Sequence, residues 1–600
     1  MNESANTNSN NDGTITTNTK MLTRLMFRLL PVQIILAGIG AVNGIVSSIF
    51  ASNYVGVDAM SAVGLFLPFQ LFLQAVCLML SGGSVILCGK YMGQNNREKM
   101  QNCFAVNVAV SSAISVLFIG IFLVLGLFDL TRVFTGDEVV RSLFNKYLIG
   151  QAIGVLPLIL GCQFPAFLAL ENKSKRTFIA SIAYIFVNLI LNYLFVKVLR
   201  LEAFGLALAS SLGMWVFLAV QAECFITGKS LFKISFKRLG WGEGASIIKT
   251  GFPGAVQTGY QTARGFIVNH LIQVIVGSVG LSAMATANNL LAIFWAFPNG
   301  MLAVSRLMIS VSVGEEDRQT LTDTMRVMMR KFFPILIGLA AVLILLAEPM
   351  TNIFYHDPSD PVYMMTVWGF RILPVCLPLA IIATHFCCYW QASGRQGILH
   401  FIALMDGVVC VAGFSALLIK PFEMNGVYAA NVLNGVVIIL IIVIYSCICR
   451  RHFPHKMDDL MVIPDNFGAP ACERMDISIR TIDEVVTIAR RVQEFCMERG
   501  IDDRRAYLAG LSMEEMAGNI VEHGFTKDKR SHTIDVRVVH KEGDIILRIK
   551  DDCVAFDPAD RTDIVKDDIT KNIGIRMIFK IAKKVQHQSV LGLNVLTVRI

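Results

Sequence analysis

The sequence predicts a polytopic membrane protein that is all-α over its first three quarters and ends in a soluble α/β domain. Hydrophobic residues make up 54% of the 600 residues and charged residues only 16%, and the mean hydropathy is +0.58. Apolar runs of the length that a helix needs to cross a bilayer recur as far as Ile448. Beyond Ile448 the chain becomes charged and Pro-containing, and these runs end. The composition therefore predicts a membrane part and a soluble part with separate cores.

An internal repeat organises the membrane part. Adding 221 to a residue number in the first half leads, without insertion, to an identical residue in the second half at many positions. The matches include Ser84 with Ser305, Gly93 with Gly314, Pro157 with Pro378 and Gly205 with Gly426. A repeat of this length predicts two fused half-molecules within residues 29–449 rather than a solenoid.

The apolar runs predict twelve spans, six in each copy of the repeat. They lie at 29–50, 60–88, 103–127, 147–170, 177–198, 204–227, 247–275, 283–311, 333–347, 365–391, 397–419 and 426–449. Because six is an even number, both copies start on the same side of the membrane and the repeats are parallel. We therefore expect the substrate path between the two lobes, near the midplane.

The distribution of charge predicts the orientation. Lys and Arg gather in the loops after even-numbered spans, such as Lys173, Lys175 and Arg176, whereas the opposite loops are acidic or mixed. The positive-inside rule then places both termini in the cytoplasm. The formal net charge of +8 is thus a signal of topology, and no nucleic-acid partner is expected. Residues 1–24 are expected to be a disordered tail rather than a cleaved signal peptide.

Charged residues inside the spans are candidate functional residues, because a bilayer makes them costly. Asp406 in the eleventh span is the first choice for a coupling site, and the alternative is a structural acid paired with His400, His385 or Arg371. Arg264 and Arg371 favour an anionic or zwitterionic substrate if they face a cavity. They indicate nothing about specificity if they snorkel to the interface.

Two pairs of amides are further candidates. Asn188 and Asn192 lie one turn apart on the fifth span, and Gln257 and Gln261 lie one turn apart on the seventh. Each pair shares a helical face, which predicts either hydrogen bonds to a substrate or contacts between helices.

Two motifs and the span count carry a resemblance. VGVDAMSAVGLFLP closes the first hairpin, and GKYMGQNNREK leaves the second span. Together with two parallel six-span lobes, they resemble the multidrug and toxic compound extrusion (MATE) transporters over residues 25–450. The resemblance implies antiport of organic, drug-like molecules by alternating access, coupled to Na⁺ or H⁺.

The first span departs from this family. Many members carry an Asp ahead of the loop glycine, and counting back from Gly56 that position is Ser47, with Asn43 one turn earlier. A neutral Ser cannot release a proton in the working pH range. Na⁺ binding by Asn and Ser oxygens therefore remains the coupling mode open to the first lobe.

A charged linker over residues 451–471 precedes the soluble domain. From residue 472 the pattern predicts a strand at DISIR, two amphipathic helices that end at Gly500 and Gly524, and a hairpin that turns at residues 542–544. A helix from Gly574 and a final hairpin complete the domain, which is α/β.

Three motifs in this domain occur in a characteristic order. Glu515 and Asn519 lie one turn apart on the second helix, the stretch Asp551–Asp557 follows a strand, and Gly574 ends a short glycine box. They resemble the GHKL histidine-kinase-like ATPases, which have a Bergerat-type α/β sandwich, and specifically the anti-sigma-factor kinases.

This second resemblance implies a nucleotide site. ATP with Mg²⁺ would be held by Asn519, the adenine amino group by Asp551, and Glu515 would be the catalytic base. The motif positions Phe556, Asp557 and Gly574 would complete the binding site. Cys553 and Ala555 replace two glycines that let the backbone approach the nucleotide, so weaker binding is expected.

The sequence therefore predicts a secondary antiporter with lobes at 25–239 and 240–450 and a nucleotide-binding regulatory domain at 472–600. It is expected in the cytoplasmic membrane of a bacterium, with the lipid bilayer and a small organic substrate as partners. One alternative is a membrane sensor whose kinase-like domain phosphorylates or sequesters a cytoplasmic regulatory protein. Another is a flippase for a lipid-linked precursor.

Overall fold

The structure, a computed structural model, describes residues 19–600 apart from 56, 229, 234–238, 526–531, 542 and 555–572. At 40–45, 47–49, 51–53, 57–60, 471 and 573–575 it describes the helical backbone alone. The chain divides into two compact units. The membrane unit comprises Thr23–Glu316 and Thr324–Pro464, and the sheet unit comprises Met1–Leu22, Asp317–Asp323 and Asp465–Ile600.

Long helices dominate the membrane part. The first copy of the repeat contains α1 (Thr19–Tyr54), α2 (Val57–Gly93), α3 (Arg97–Leu127), α4 (Glu138–Gly161), α5 (Phe164–Leu170), α6 (Ser174–Asn192) and α7 (Glu202–Ile226). The second contains α8 (Gly242–Ile275), α9 (Ser278–Phe294), α10 (Ala296–Gly314), α11 (Arg318–Leu345), α12 (Ala347–Thr351), α13 (Pro361–Ile372), α14 (Cys376–Ala392), α15 (Gln396–Leu404) and α16 (Cys410–Arg450). The predicted all-α membrane fold is confirmed.

The helices follow the predicted spans closely. Within the described residues, ten helical stretches are long and apolar enough to cross a membrane. One of them, Gln396–Arg450, contains both the eleventh and the twelfth predicted spans. The seventh predicted span corresponds to α8, which is not among the ten because polar residues such as Lys249, Gln261 and Arg264 lower its hydropathy. The first helix begins at Thr19, ahead of the predicted start at residue 29.

The break between the last two spans has a local cause. Pro421 lies inside α16, and Glu423 has a φ of 49° and a ψ of −132°, which is not helical. Proline removes one backbone donor and clashes with the preceding turn, so the helix bends there. The bend lies in the predicted gap between residues 419 and 426.

The two copies of the repeat meet at a pair of matched glycines. A Cβ built on Gly93 would lie 2.8 Å from the Glu315 backbone nitrogen, and one built on Gly314 would lie 2.8 Å from the Lys90 carbonyl carbon. Gly93 ends α2 and Gly314 ends α10, so equivalent helices of the two copies cross where neither has a side chain. Any side chain at these positions would push the two helices apart.

The sheet unit confirms the predicted α/β fold. Its strands are β1 (Arg474–Ile479), β2 (Ile534–Lys541), β3 (Asp544–Asp551), β4 (Lys584–Val590) and β5 (Leu593–Arg599), in the order β1-β2-β3-β5-β4. All neighbouring strands pair antiparallel. Its helices are α18 (Ile482–Met497), α19 (Asp503–Asn519) and α20 (Ile573–Ile581).

One face of the sheet and the three helices share a core. Alternate strand residues such as Ile477, Val536 and Leu547 point into it, together with Val492 from α18 and Met513 from α19. Period-2 and period-3.6 patterns thus meet on a common apolar surface. The start of α18 is fixed by a capping box between Thr481 and Glu484.

The predicted linker is partly ordered on the membrane unit. It forms the short helix α17 (Met457–Met461), and Met461, Val462 and Ile463 are buried. Trp390 Nε1 donates to the Met461 carbonyl oxygen at 3.2 Å, and Arg395 Nη2 donates to that of Val462 at 2.6 Å. Residues 461–463, which we call the strap, therefore fix the chain to the membrane unit after the last span.

Candidate functional site

Asp406 lies where α15 gives way to a π-helical segment, Met405–Val409. The segment packs tightly on α8, because a Cβ built on Gly407 would lie 2.5 Å from the Cβ of Tyr260. Single π-helical turns inside helices occur frequently at functional sites. Here the glycine lets the acidic residue and α8 come close together.

Two neutral amides hold the Asp406 carboxylate. Gln257 Nε2 on α8 donates to Oδ2 at 3.0 Å, and Asn434 Nδ2 on α16 donates to Oδ1 at 2.8 Å. Asn434 is buried, and its own amide oxygen has no hydrogen-bond partner among the described residues. A carboxylate and an unused amide oxygen therefore lie side by side between three helical segments.

Arg264 approaches the same cluster. Its Nη1 lies 3.5 Å from the backbone carbonyl oxygen of Asp406, and the residue is half-buried. The contact is to the backbone rather than to the carboxylate. Arg264 thus brings a positive charge near the acid while the two amides hold the carboxylate itself.

The other partners considered for Asp406 contact different residues. His385 is fully buried, with Nδ1 2.7 Å from Ser305 Oγ, and the His400 ring lies 5.8 Å from the Phe252 ring. Arg371 Nη2 donates to Glu348 Oε1 at 2.7 Å. The Arg371 guanidinium also lies 5.3 Å from the centre of the Trp368 ring. The structure therefore does not bring Arg371 to the Asp406 cluster.

The remaining membrane candidates are spread over both lobes. Asn188 and Asn192 on α6 are buried, and Asn192 Nδ2 donates to Asn188 Oδ1 at 3.1 Å. Asn188 Nδ2 lies 3.5 Å from Ser210 Oγ on α7, so this pair joins two helices. Gln261 is exposed. The side chains of Asn43 and Ser47 lie outside the described residues.

The repeat relates the Asp406 cluster to an apolar contact in the first lobe. Subtracting 221 from the numbers of its three hydrogen-bonded residues gives Leu36, Ile185 and Gly213. Leu36 and Ile185 pack against one buried hydrophobic cluster, and a Cβ on Gly213 would contact Tyr184 of that cluster at 3.1 Å. In the first lobe the equivalent positions therefore adjoin one apolar cluster, whereas in the second lobe they form a polar one.

Asn434 is a functional candidate that sequence reasoning missed. It is a single amide in the apolar run of the last span, where a polar residue is costly but not rare. The signal that could have found it is the repeat, because its equivalent in the first lobe is the glycine Gly213.

In the sheet unit, Glu515 and Asn519 lie half-buried and one turn apart on α19, as their spacing predicts. Asn519 Nδ2 donates to the Glu515 backbone carbonyl oxygen at 2.5 Å. This bond fixes the Asn519 side chain on its own helix, so its amide oxygen is the atom that a Mg²⁺ ion would take. A π-helical turn, Ile520–Gly524, follows directly.

Asp551 ends β3 and is buried. Its Oδ1 accepts hydrogen bonds from the Cys553 backbone N–H at 3.0 Å and from Asn594 Nδ2 on β5 at 2.8 Å. Burial raises the pKa of the Asp551 carboxyl, and the hydrogen bond from Asn594 opposes this shift. Asn594 was not predicted from sequence, because only the pairing of β3 with β5 brings it there.

Cys553 closes part of the space beside Asp551. A Cβ built on Gly524 would lie 3.1 Å from Cys553 Sγ, so the thiol lies against the turn that follows Asn519. His532 Nδ1 lies 3.0 Å from Asp552 Oδ1, and the ligand atoms of His532, Asp552 and Cys553 lie within 4.8 Å of one another. The acid and the amide expected to hold a nucleotide are therefore present. The side chain of Cys553, which replaces a glycine of the motif, narrows the site between them.

The other residues predicted to contact a nucleotide lie largely outside the described residues. Phe556 and Asp557 lie outside the described residues. Gly574 belongs to α20, of which only the backbone is described at that position.

Comparisons with known proteins agree with these two parts. Residues 35–194 and 252–415 match the MatE family model, one stretch in each copy of the repeat and together more than half of the chain. Residues 480–600 match the family model described as a histidine kinase-like ATPase domain. No curated protein matches the chain.

Solved transporters share the fold of the membrane part. An outward-facing multidrug resistance MATE family transporter of the MOP superfamily is 18% identical with a TM-score of 0.63, over 71% of this chain and 96% of that chain. A MATE structure in complex with MaD3S is 19% identical with a TM-score of 0.65, over 71% and 96%. A MOP superfamily transporter from Pyrococcus furiosus is 18% identical with a TM-score of 0.62, over 71% and 97%.

These identities are low, so the likeness to the solved structures shows the fold alone. The family match over both copies of the repeat goes further, since it covers the elements that place Gln257 and Asp406. The chain therefore belongs to the MATE family of transporters and carries a histidine kinase-like ATPase domain at its C-terminal end.

Proposed function

We propose that this protein is a secondary antiporter that exports small organic molecules by alternating access, driven by Na⁺ or H⁺, and that nucleotide binding to its ATPase-like domain regulates transport. It acts in the cytoplasmic membrane of a bacterium, with both termini in the cytoplasm.

The observation that carries the coupling proposal is the Asp406 cluster. Asp406 accepts hydrogen bonds from α8 and α16 at once, and the Asn434 amide oxygen beside it is unused. Carboxylate and amide oxygens are hard ligands that suit Na⁺, and a carboxylate can also take a proton. Because the ligands come from different helices, an ion held there would favour the packing that brings those helices together.

The first lobe supports the same assignment by contrast. Ile185 stands at the position equivalent to Asp406, and an aliphatic side chain can neither bind a cation nor exchange a proton. We therefore assign ion coupling to the Asp406 cluster of the second lobe, and Asn43 and Ser47 stay the candidate Na⁺ ligands of the first lobe.

Ion binding and ion-driven efflux test this proposal on the full chain. Thermal unfolding of the purified protein is followed in NaCl and in choline chloride, and efflux of ethidium from proteoliposomes is driven by a Na⁺ or a pH gradient. A ligand present at 100 times its Kd stabilises a protein by about 2.7 kcal/mol, which is readily measured. We expect Asp406→Asn to lose the ion response and the driven efflux.

The matched control is Gln261→Ala on α8. Gln261 is exposed and lies one turn after Gln257, outside the hydrogen-bonded cluster. It should respond to ions like the unmodified protein. Ion-driven ethidium efflux that survives Asp406→Asn unchanged would contradict the proposal. A response to pH without a response to Na⁺ would identify H⁺ as the coupling ion.

The regulatory part of the proposal is supported by the residues that fit a nucleotide. Asn519 offers an amide oxygen for Mg²⁺, and Asp551 is a buried acceptor held by Asn594 for the adenine amino group. Glu515, one turn before Asn519, is the candidate base. The thiol of Cys553 narrows the site, so we expect weaker binding than an open glycine loop allows.

Binding of ATP and GTP to the full chain, with and without Mg²⁺, tests the nucleotide site. Asn519→Ala should remove the Mg²⁺-dependent part of the affinity, and Asp551→Asn should reduce the preference for ATP over GTP. Cys553→Gly should tighten binding, because it restores the space that the thiol fills. Absence of binding at millimolar ATP in both the unmodified chain and Cys553→Gly would refute nucleotide regulation.

A further inference from the structure

The sheet has a second face, opposite the helices, and this face is charged. On β1, β2 and β3 the residues that alternate with the core positions include a polar set, Asp476, Ser478, Asp535, Arg537, Arg548 and Lys550. Asp476 is directly opposite Arg537, and Asp535 is directly opposite Lys550. We call this set the charged face.

A residue distant in sequence lies on the charged face. Asp317 belongs to the same compact unit as the sheet, and Arg537 Nη2 lies 2.5 Å from its Oδ1. Arg537 Nε donates to Asp476 Oδ1 at 2.6 Å, so one guanidinium joins two carboxylates. The three side chains are only 11%, 4% and 14% exposed for Arg537, Asp317 and Asp476.

Because the ion pair between Asp317 and Arg537 is buried, each residue depends on the other to balance its charge. Burial alone would raise the pKa of the Asp317 carboxyl, but the charges of Arg537 and Lys550 and the hydrogen bonds from Thr320 hold this pKa well below its usual range. Removing one partner of a buried ion pair leaves an uncompensated charge, which is costly. A small cavity lined by Asp317, Thr320, Ser478 and Asp535 adjoins the pair.

Asp317 also organises the start of a membrane helix. Thr320 N–H donates to Asp317 Oδ1 at 2.7 Å, and Thr320 Oγ1 donates to Oδ2 at 2.6 Å. These bonds cap the first turn of α11, the long apolar helix Arg318–Leu345. The first turns of α11, as far as Asp323, belong to the sheet unit. The rest of the helix, from Thr324, belongs to the membrane unit. One carboxylate therefore binds the charged face and caps a span.

We propose that the segment Asp317–Asp323 is the coupling contact of this protein: the charged face of the ATPase-like domain holds the first turn of α11, and the state of that domain reaches the second lobe through this helix. The inference rests on the proposed regulation of transport and adds the route that regulation takes. Since coupling free energies are reciprocal, ions bound in the membrane must also change the sheet.

The test uses this reciprocity and needs no nucleotide. Hydrogen exchange on β1 and β2 is measured in the full chain, reconstituted in nanodiscs, in NaCl and in choline chloride. In the unmodified protein we expect Na⁺ to change the exchange of the amides around Asp476 and Arg537. In Asp317→Ser this change should be lost, because the proposed route from the membrane helices to the sheet runs through the Asp317 carboxylate.

Serine is chosen because it caps helices nearly as well as Asp but carries no charge. The matched control is Asp360→Ser. Asp360 caps α13 through a 3.0 Å hydrogen bond from Val362 N–H, and the described ion pairs do not include it. Asp360→Ser should keep the full response of β1 and β2. A response in Asp317→Ser equal to that of the unmodified chain would overturn the inference, as would the absence of a response to both Na⁺ and a step in pH in the unmodified chain.

A second arm separates this inference from the proposed regulation. Ethidium efflux from proteoliposomes is measured with and without ATP–Mg²⁺. Regulation through the contact predicts that ATP changes the efflux rate of the unmodified chain and of Asp360→Ser but not of Asp317→Ser. If ATP has no effect on any of them while the Na⁺ response of the sheet persists, nucleotide regulation fails and the coupling contact stands.

Discussion

The two lobes fill three equivalent positions with different chemistry. In the second lobe Gln257, Asp406 and Asn434 form a hydrogen-bonded cluster. In the first lobe their equivalents, Leu36, Ile185 and Gly213, belong to or adjoin one apolar cluster. Fold symmetry therefore does not require chemical symmetry, because a helix contact can be satisfied by packing or by hydrogen bonds. The polar version is the one that we propose binds the coupling ion.

The largest change is expected when the acid is converted to its first-lobe equivalent. Asp406→Ile leaves the Gln257 and Asn434 amides without their acceptor, at a cost of roughly 1–3 kcal/mol for each unsatisfied group. It should also abolish ion-driven efflux. Unfolding in SDS measures the stability. The triple variant Gln257→Leu, Asp406→Ile, Asn434→Gly should recover most of the stability and none of the ion response.

The reverse substitution should have a somewhat smaller cost. Ile185→Asp places a carboxylate where no amide donor waits, and an acid inside a membrane helix costs about 2.5–3.5 kcal/mol on insertion scales. Adding Leu36→Gln supplies the donor that Gln257 provides in the other lobe and should restore part of the loss. Equal stability of Ile185→Asp and the unmodified chain in SDS unfolding would show that the two lobes tolerate the acid alike.

Removing the Gln257 amide alone should destabilise the protein less than either change of the acid. Gln257→Leu takes away a hydrogen bond to a charged group, which is worth about 1.5–3 kcal/mol. Gln261→Leu on the same helix is the control, and as an exposed position it should stay within about 0.5 kcal/mol. SDS unfolding of both variants measures the difference. A cost at Gln261 as large as that at Gln257 would argue against a specific cluster.

Asp535 on the charged face predicts that the stability of the sheet unit depends on pH, in contrast to the ion response proposed for the second lobe. Burial raises the pKa of Asp535 to about 6 from its ordinary 3.8. The hydrogen bond that Ser478 Oγ donates to this carboxyl at 2.6 Å and the charge of Lys550, directly opposite on β3, lower the pKa. The negative charges of Asp317 and Asp476 raise it. The folded state therefore holds a proton that the unfolded state releases, so stability should fall as pH rises from about 4 to about 6.

The slope is at most about 1.4 kcal/mol per pH unit. Native-state hydrogen exchange on β2, corrected for the intrinsic pH dependence of exchange, measures it. Asp535→Asn should make the stability independent of pH over this range, with Asp552→Asn, an acid that contacts His532, as a comparison in the same domain. An unchanged pH dependence in Asp535→Asn would assign the titration to another group.

Hydropathy and periodicity predicted most of the fold, because both parts bury their apolar residues in regular patterns. The spans, the strands of the sheet and the two helices that end at Gly500 and Gly524 follow directly from those patterns. The seventh span was the hardest of the membrane helices to predict, since its polar residues, among them the candidate site residue Gln257, lower its hydropathy.

The candidate sites were only half predictable. Asp406 stood out as an acid in an apolar run, but Asn434 and Asn594 became visible only once tertiary pairing placed them beside Asp406 and Asp551. Asp317 was not predicted from sequence, because its partner Arg537 is far away in sequence. Local patterns report what each element is, and they contain little information on which elements meet.

The strap limits the length of free chain in front of the sheet. Residues 461–463 are held on the membrane unit, and β1 begins at Arg474, so only residues 464–473 join the two attachment points. A short tether of this kind gives its ends an effective concentration in the millimolar range. In the proposed coupling, a charged face that has released Asp317 would therefore find it again without a diffusional search.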